Sequence, residues 1–346
     1  MLTLRTGSNV PVMRILVLGG TAWLGRCIAS TAVRLGHEVT CLARGSSGDP
    51  PEGVSLVRAD RAQPRAYEAV AGEAWDVAVD LTRQPGQAQG AVAALGPRAE
   101  FFVFVSSGNV YADHSIAGQD EDGALLPALE SDVMESMETY GQAKVACERH
   151  VLRAFGNERS AIMRVGLIGG PGDIFDRTGY WPLRFARPAS ADGAVLVPDA
   201  PDLPTQVIDV RDLAAWVLEV GARAVAGIFN VTGETVLFPR HLELARAVAG
   251  HTGPVVRADQ RWLLDQGVGE WMGERSLPLW LSDPDWLGFS ANDNSTARGA
   301  GLITRPLEET LKDTLAWELT RDPARTRQAG LSDDDERALL HAMARA

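Results

Sequence analysis

Three cysteines in 346 residues are too few and too scattered for a disulfide framework. No cluster of His, Cys and Asp has metal-site spacing, so reduced thiols and no metal site are expected. Basic residues are scarce too. Lys and Arg number 33 against 45 Asp and Glu, giving a net charge of -12 and a pI near 5.0. That sign repels a nucleic-acid backbone and an anionic lipid surface alike, which argues against both as partners. Long hydrophobic runs are missing: Arg14–Leu18 and Phe101–Val105 are strand-length and too short to span a bilayer. Residues 1–12 lack the sustained apolar core of a secretion signal, and Met13 directly precedes the first strong strand. Residues 1–13 are therefore expected to be a disordered leader on a cytoplasmic protein. Repeats and low-complexity tracts are absent.

What remains is an ordinary globular composition, 45% hydrophobic and 23% charged, with room for one large domain or two smaller ones. Arg14–Leu18 is a continuous aliphatic run, as in a parallel strand covered on both faces. It breaks into Gly19-Gly20-Thr21-Ala22-Trp23-Leu24-Gly25. Leu24, Ile28, Ala32 and Leu35 then recur at helical spacing, and Glu38–Ala43 reads as a second strand. Such a strand–turn–helix–strand unit suits a dinucleotide, because glycines let the backbone turn tightly and a helix N-terminus offers unpaired N–H groups to a pyrophosphate. Further strands are expected at 54–57, 77–79, 101–105 and 161–165, giving an α/β, doubly wound parallel sheet. The segment from Gly169 to Pro204 is rich in Gly, Pro and Asp and is expected to form loops over the ligand cleft. Residues 206–210 and 229–231 read as returning strands. Helices are expected over 213–220, 241–249, 306–317 and 333–344, the last capped by Ser332.

Tyr140 and Lys144 lie four residues apart in a helical stretch, so the phenol and the ammonium project from one face. A fixed cation favours the phenolate and suits the tyrosine to proton exchange. Ser106 and Ser107 stand at the end of the fifth strand, where a doubly wound fold opens its ligand crevice. Cys147 shares the helical stripe of Tyr140 and Lys144 and reads as a packed small residue.

The glycine turn, the serine after the strand and Tyr-x-x-x-Lys, in this order, resemble the short-chain dehydrogenase/reductase superfamily. The extended, epimerase/dehydratase-like branch is the nearest likeness, over roughly Arg14 to Val231. The resemblance implies a Rossmann-type dinucleotide-binding domain over 14–168, its sheet completed by about 205–232. A substrate-binding part follows in 169–204 and 233–346. It implies catalytic roles for Ser107, with Ser106 as the register alternative, for Tyr140 as the proton carrier, and for Lys144 holding the nicotinamide ribose. Cofactor contacts are implied at Gly19, Ala22, Trp23, Leu24, Gly25, Asp60, Leu81 and Thr82. NAD-dependent relatives carry an acidic residue near the end of the second strand. This chain has Ala43 there, followed by Arg44, a side chain suited to a 2′-phosphate, so NADP(H) is the expected cofactor with NAD(H) the alternative. Substrate contacts are expected from Asn109, Tyr111, Asp173 and Arg177. Arg211 is either a further anion holder or half of a capping pair with Asp212.

Three departures stand against a simple transfer. Ala22 replaces the usual second glycine, Arg83 follows Thr82 in place of a small residue, and the interval 112–139 is long and acidic, a lid or a solvated loop. Trp262, Trp271, Trp280, Trp286 and Trp317 suit either an apolar, ring-containing substrate or core filling. The expected function is NADP(H)-dependent oxidoreduction of a carbonyl or secondary alcohol on a small molecule. Nucleotide-sugar epimerisation and a catalytically silent dinucleotide- or RNA-binding protein are the alternatives. Family members often pair through helices flanking the sheet, so a homodimer is a further expectation.

Overall fold

The computed structural model describes residues 11–345. Most of the expected leader lies outside the described residues; Met13 itself is core-packed, 6% exposed. Up to residue 170 the chain runs β1 (Arg14–Leu18), α1 (Trp23–Arg34), β2 (Glu38–Ala43), β3 (Val54–Arg58), α2 (Glu68–Ala71), β4 (Trp75–Asp80), α3 (Pro85–Leu95), β5 (Ala99–Ser107), α4 (Tyr140–Phe155), β6 (Ser160–Val165) and β7 (Leu167–Gly169). It continues with α5 (Arg177–Ala186), β8 (Val195–Pro198), β9 (Pro204–Asp209), α6 (Val210–Arg223), β10 (Gly227–Val231), β11 (Thr235–Leu237), α7 (Phe238–Val248), β12 (Val255–Ala258) and α8 (Gln260–Asp265). The last stretch holds β13 (Gly269–Trp271), β14 (Gly273–Glu274), β15 (Ser276–Pro278), α9 (Ser295–Gly299), α10 (Leu307–Glu318), β16 (Ala329–Gly330) and α11 (Asp333–Met343).

The central sheet has seven strands in the order β10-β6-β5-β4-β1-β2-β3, and the pairs β2–β3, β1–β2, β1–β4 and β4–β5 are parallel. Ile15 to Leu18 are wholly buried, which is why this strand is aliphatic throughout: both faces are covered. The expected α/β Rossmann-type sheet is present. Two expectations are corrected. The strand at 204–209 does not complete this sheet but joins a three-stranded one, β11-β9-β7, while β10 takes the edge. The turn-rich segment 169–204 is not loop alone, since α5 and β8 fold within it. Its glycines and prolines mark the turns between elements, which composition does not separate from a continuous loop.

The described chain forms two compact units. One holds the residues through Val105, 128–162 and 217–227; the other holds 106–127, 163–216 and 228 onward. The second unit has its own core, in which Trp181 and Trp280 are fully buried and Trp181 packs edge-on against Tyr180 and Phe238. Both indoles satisfy their N–H, Trp181 on the Pro278 carbonyl at 2.8 Å and Trp280 on Gln260 at 2.8 Å. Helix α11 begins as expected, with Ser332 accepting from the Asp335 N–H and four acidic residues in its first turn. Among the described residues no helix is long and apolar enough to cross a membrane. No group of three or more His, Cys, Asp or Glu there is placed to hold a metal ion. None of the three cysteines forms a disulfide.

Candidate active site

The first unit brings the glycine turn and the Tyr–Lys helix together at the strand ends. Gly19 has φ +98°, a conformation that side chains disfavour. A Cβ on Gly25 would meet the Gly19 carbonyl oxygen at 2.4 Å and Gly20 Cα at 2.7 Å, so α1 approaches the turn at a distance only glycine permits. Leu81 packs on the same turn, its Cβ 3.6 Å from the position of a Gly19 Cβ. Helix α1 opens at Trp23 after an extended Ala22, and no side chain caps it. Ala22 is exposed at this point, and Trp23 and Leu24 are half-exposed on the first turn. The close glycine turn and the uncapped N-terminus together fit the pyrophosphate of a dinucleotide.

Lys144 is 2% exposed, and among the described residues no carboxylate lies in hydrogen-bond range of its ammonium. Instead it donates to the Thr82 carbonyl at 2.7 Å and to the Val105 carbonyl at 2.5 Å, and it lies 4.4 Å from the centre of the Phe104 ring. Two main-chain oxygens, one from the loop after β4 and one from β5, thus fix the cation one helical turn beyond Tyr140. Tyr140 is the first residue of α4 and half-exposed. Cys147, on the same stripe, is fully buried, and burial pushes its thiol up to about 12; it is packing, as expected.

The loop after β4 is held by a network that sequence reasoning missed. Asp80, wholly buried at the end of β4, receives both terminal nitrogens of Arg61 at 2.7 and 2.6 Å. Arg61 also donates to the Tyr67 hydroxyl at 2.8 Å and to the Gln87 carbonyl at 3.1 Å. Asp80 accepts from the Thr82 N–H at 2.9 Å, and the Thr82 hydroxyl donates to Gln87 at 2.8 Å. The Thr82 carbonyl that holds Lys144 is thereby fixed in turn. No local pattern announces a pair 19 residues apart. Asp60 stands exposed beside this network, its carboxylate accepting from the Ala62 N–H at 3.0 Å. Arg44 is exposed just past β2, and Arg58 lies against Gly45, where a Cβ would meet its Nη1 at 2.1 Å. Arg26 donates to the Asp49 carbonyl, so three guanidiniums stand along residues 44–49. Arg83 touches the Met137 sulfur at 3.5 Å.

In the second unit Ser107 ends β5, two residues after the Val105 that anchors Lys144. Its hydroxyl donates to Asn109 Oδ1 at 2.9 Å and accepts from the Asn109 N–H at 3.3 Å. Ser106 is buried.

No protein-family model matches the chain. The UDP-glucose 4-epimerase of Thermus thermophilus, solved with NAD, superposes with a TM-score of 0.62 over 90% of this chain and 100% of that chain, at 18% identity. The fold is that of the extended short-chain dehydrogenase/reductases. Two curated proteins align in sequence. The chloroplast stem-loop binding protein of 41 kDa b from Arabidopsis thaliana is 26% identical over 259 residues, and the 2′-dehydrokanamycin reductase from Streptomyces kanamyceticus 29% over 195. The alignments cover 68% and 54% of this chain but only 63% and 52% of those proteins' lengths.

On this fold two expected substrate contacts are corrected. Tyr111 is 1% exposed, its hydroxyl donating to Asn230 at 2.6 Å with Arg164 stacked on its ring. Asp173 has no exposed surface and accepts from the Phe175 and Thr178 N–H groups and the Thr178 hydroxyl, fixing the entry to α5. Both have spent their polar atoms internally. Asn109 and Arg177 are half-exposed, and Arg177 lies over the rings of Phe175 and Trp271. Arg211 is no anion holder: Asp209 and Asp313 take its guanidinium at 2.7 and 2.6 Å, while Asp212 pairs with Arg305. The stretch 112–139 is no free acidic loop. Glu121 accepts from the Asn230 N–H at 2.6 Å and the Thr296 hydroxyl at 3.0 Å, and Met134 N–H donates to Gln84 at 2.7 Å.

Proposed function

We propose that this chain is an NADP(H)-dependent oxidoreductase that interconverts a carbonyl and a secondary alcohol on a small molecule. The observation that carries the reading is Lys144, a buried ammonium held by two main-chain carbonyls one turn after Tyr140. Burying a cation without a carboxylate is costly, and a purely structural position would be filled by an apolar side chain. An ammonium has three donors and two are placed, so the third is left for a ribose hydroxyl, with the fixed charge favouring the phenolate of Tyr140. Bound nicotinamide supplies or accepts the hydride. Tyr140 moves the proton to or from the substrate oxygen, and Ser107, already oriented by Asn109, holds that oxygen by a hydrogen bond. Gly19, Ala22, Trp23, Leu24, Gly25, Leu81 and Thr82 line the dinucleotide groove in this reading, with Asp60 at the adenine end. Arg44, helped by Arg26 and Arg58, meets the 2′-phosphate, and pairing of two copies through helices flanking the sheet belongs to the same proposal.

Titration of the wild type and Arg44→Ala with NADPH and NADH tests the cofactor. The expected result is a preference for NADPH that Arg44→Ala removes; equal preference in both proteins rejects NADP(H) specificity, and binding of neither dinucleotide rejects the function. Tyr140→Phe is expected to keep NADPH affinity and lose about 10²–10⁴-fold in turnover of a carbonyl substrate. Epimerisation becomes the better reading if the purified protein retains NAD(P) and shows no net cofactor turnover. Because the acidic charge opposes a phosphate backbone, the stem-loop binding named for one relative is not carried over to this chain.

A further inference from the structure

The aromatic residues of the second unit fall into two groups. Trp181 and Trp280 are core, without exposed surface. His114, Phe175, Trp271, Trp286 and Phe289 form a second cluster that reaches the surface, with Trp286 37% and Phe175 41% exposed. His114 stacks on Trp286 at 4.8 Å and 22°, and Phe289 closes edge-on against His114, Trp271 and Trp286 at 5.1 to 5.4 Å. Arg177 lies over Phe175 and Trp271 at 5.1 and 5.6 Å. Core packing does not require rings from separate segments to converge and then stay partly exposed.

Two further observations tie this surface to a ligand. Two non-glycine residues with positive φ back it: Trp271 at 65° and the buried Asp176, between Phe175 and Arg177, at 60°. Asp176 is held there by Arg321 at 2.6 Å, Arg325 at 2.7 Å and the Gln328 N–H at 2.8 Å, and backbone strain maintained by its surroundings is characteristic of binding sites. The cluster is also one side chain away from the catalytic strand end. Asn292 Nδ2 lies 3.4 Å from the position of a Gly108 Cβ, next to Ser107, and contacts the Phe289 carbonyl at 3.5 Å.

We infer that this surface is the substrate platform and that it selects a ring-bearing substrate without a phosphate, stacked on the His114–Trp286 pair. Rings present C–H groups or π-faces to an indole at little entropic cost. A diphosphate needs unspent cations. Of the three arginines beside the cluster, Arg321 and Arg325 are committed to Asp176 and Glu318, so the charges of a diphosphate would fall to Arg177, which lies over two rings. The inference rests on the oxidoreductase reading and narrows it away from nucleotide sugars.

Calorimetric titration of the NADPH-loaded chain with phenyl β-D-glucopyranoside and, separately, with UDP tests it, using wild type, Trp286→Ala and Phe175→Ala. Both replaced residues are partly exposed, so the variants are expected to fold, checked by near-ultraviolet circular dichroism. The expected result is binding of the glucoside by wild type, weakened about tenfold in Trp286→Ala, the size of one lost stacking contact, with no displacement by UDP. Glucoside affinity unchanged in both variants, no glucoside binding up to about 10 mM, or competitive binding of UDP each overturns the platform. NADPH binding in the same preparations separates the two proposals: a chain that binds NADPH and UDP keeps the oxidoreductase or epimerase reading and loses this one.

Discussion

The two compact units solve the same problem, the placing of polar groups inside a protein, by different means. In the first unit the main chain holds the candidate site's cation: two carbonyls fix Lys144, backbone-to-backbone approach at Gly19 and Gly25 shapes the turn, and the buried pair Arg61–Asp80 steadies the loop that supplies one of those carbonyls. In the second unit buried charges face each other across long sequence intervals. Arg184, 2% exposed, meets Asp333 at 2.7 Å and Glu336 at 2.8 Å, and Arg305 reaches Asp212 across 93 residues. Main-chain holding tolerates no added atom, whereas side-chain holding tolerates no lost partner. The difference sets how each unit should fail.

The largest effect is expected for Arg184→Met. It leaves the fully buried Glu336 without its cation, and removing one partner of a buried pair costs about 3–5 kcal/mol. Denaturant unfolding checks it, and a loss below about 1 kcal/mol would mean that the second unit does not depend on its ion pairs. Next comes acid. His241 is entirely buried in the second unit, and burial lowers its pKa to about 4. Between that value and the ordinary one near 6.5 the unfolded chain binds more protons than the folded one. The stability it contributes is therefore complete above about pH 6.5 and lost as pH falls towards 4, to the extent of about 3 kcal/mol. Melting temperatures between pH 7 and 4.5 should fall less in His241→Gln than in wild type; parallel curves would exclude His241 as the cause. The smallest effect on stability is expected for Gly25→Ala, about 1–3 kcal/mol from overpacking against main chain. Its diagnostic consequence, on the proposed function, is loss of dinucleotide affinity, because the displaced helix start is the proposed pyrophosphate contact. A variant that keeps full affinity would break the account of the first unit as main-chain controlled.

Legibility follows the same division. The aliphatic run Arg14–Leu18, the glycine turn and the helix after it can be read directly, because strand and helix periods and glycine conformations are properties of a few neighbouring residues. Tyr140 and Lys144 share a helix face for the same local reason, and Ser332 is readable as a cap. Arg61 and Asp80 are not, since nothing in either neighbourhood names the other. Tyr111 and Asp173 read as substrate contacts because polar residues after strands face the crevice in such folds. Their partners, Asn230 for one and the backbone entering α5 for the other, turn them inward instead. The strand at 204–209 is readable as a strand, but not as part of a separate sheet, because pairing partners lie beyond any local window.

By itself the sequence determined the α/β plan, the order of the first strands and helices, the glycine turn and the facing of Tyr140 and Lys144, because each depends on periodicity or on one residue's conformational freedom. Tertiary structure alone decided which polar residues are spent and which are available. It gave Lys144 its carbonyl partners, tied Arg211 to Asp209 and Asp313, and gathered His114, Phe175, Trp271, Trp286 and Phe289 onto one exposed surface. The reason is physical: a charge or a ring takes its role from what it touches, and those contacts come from residues far away along the chain.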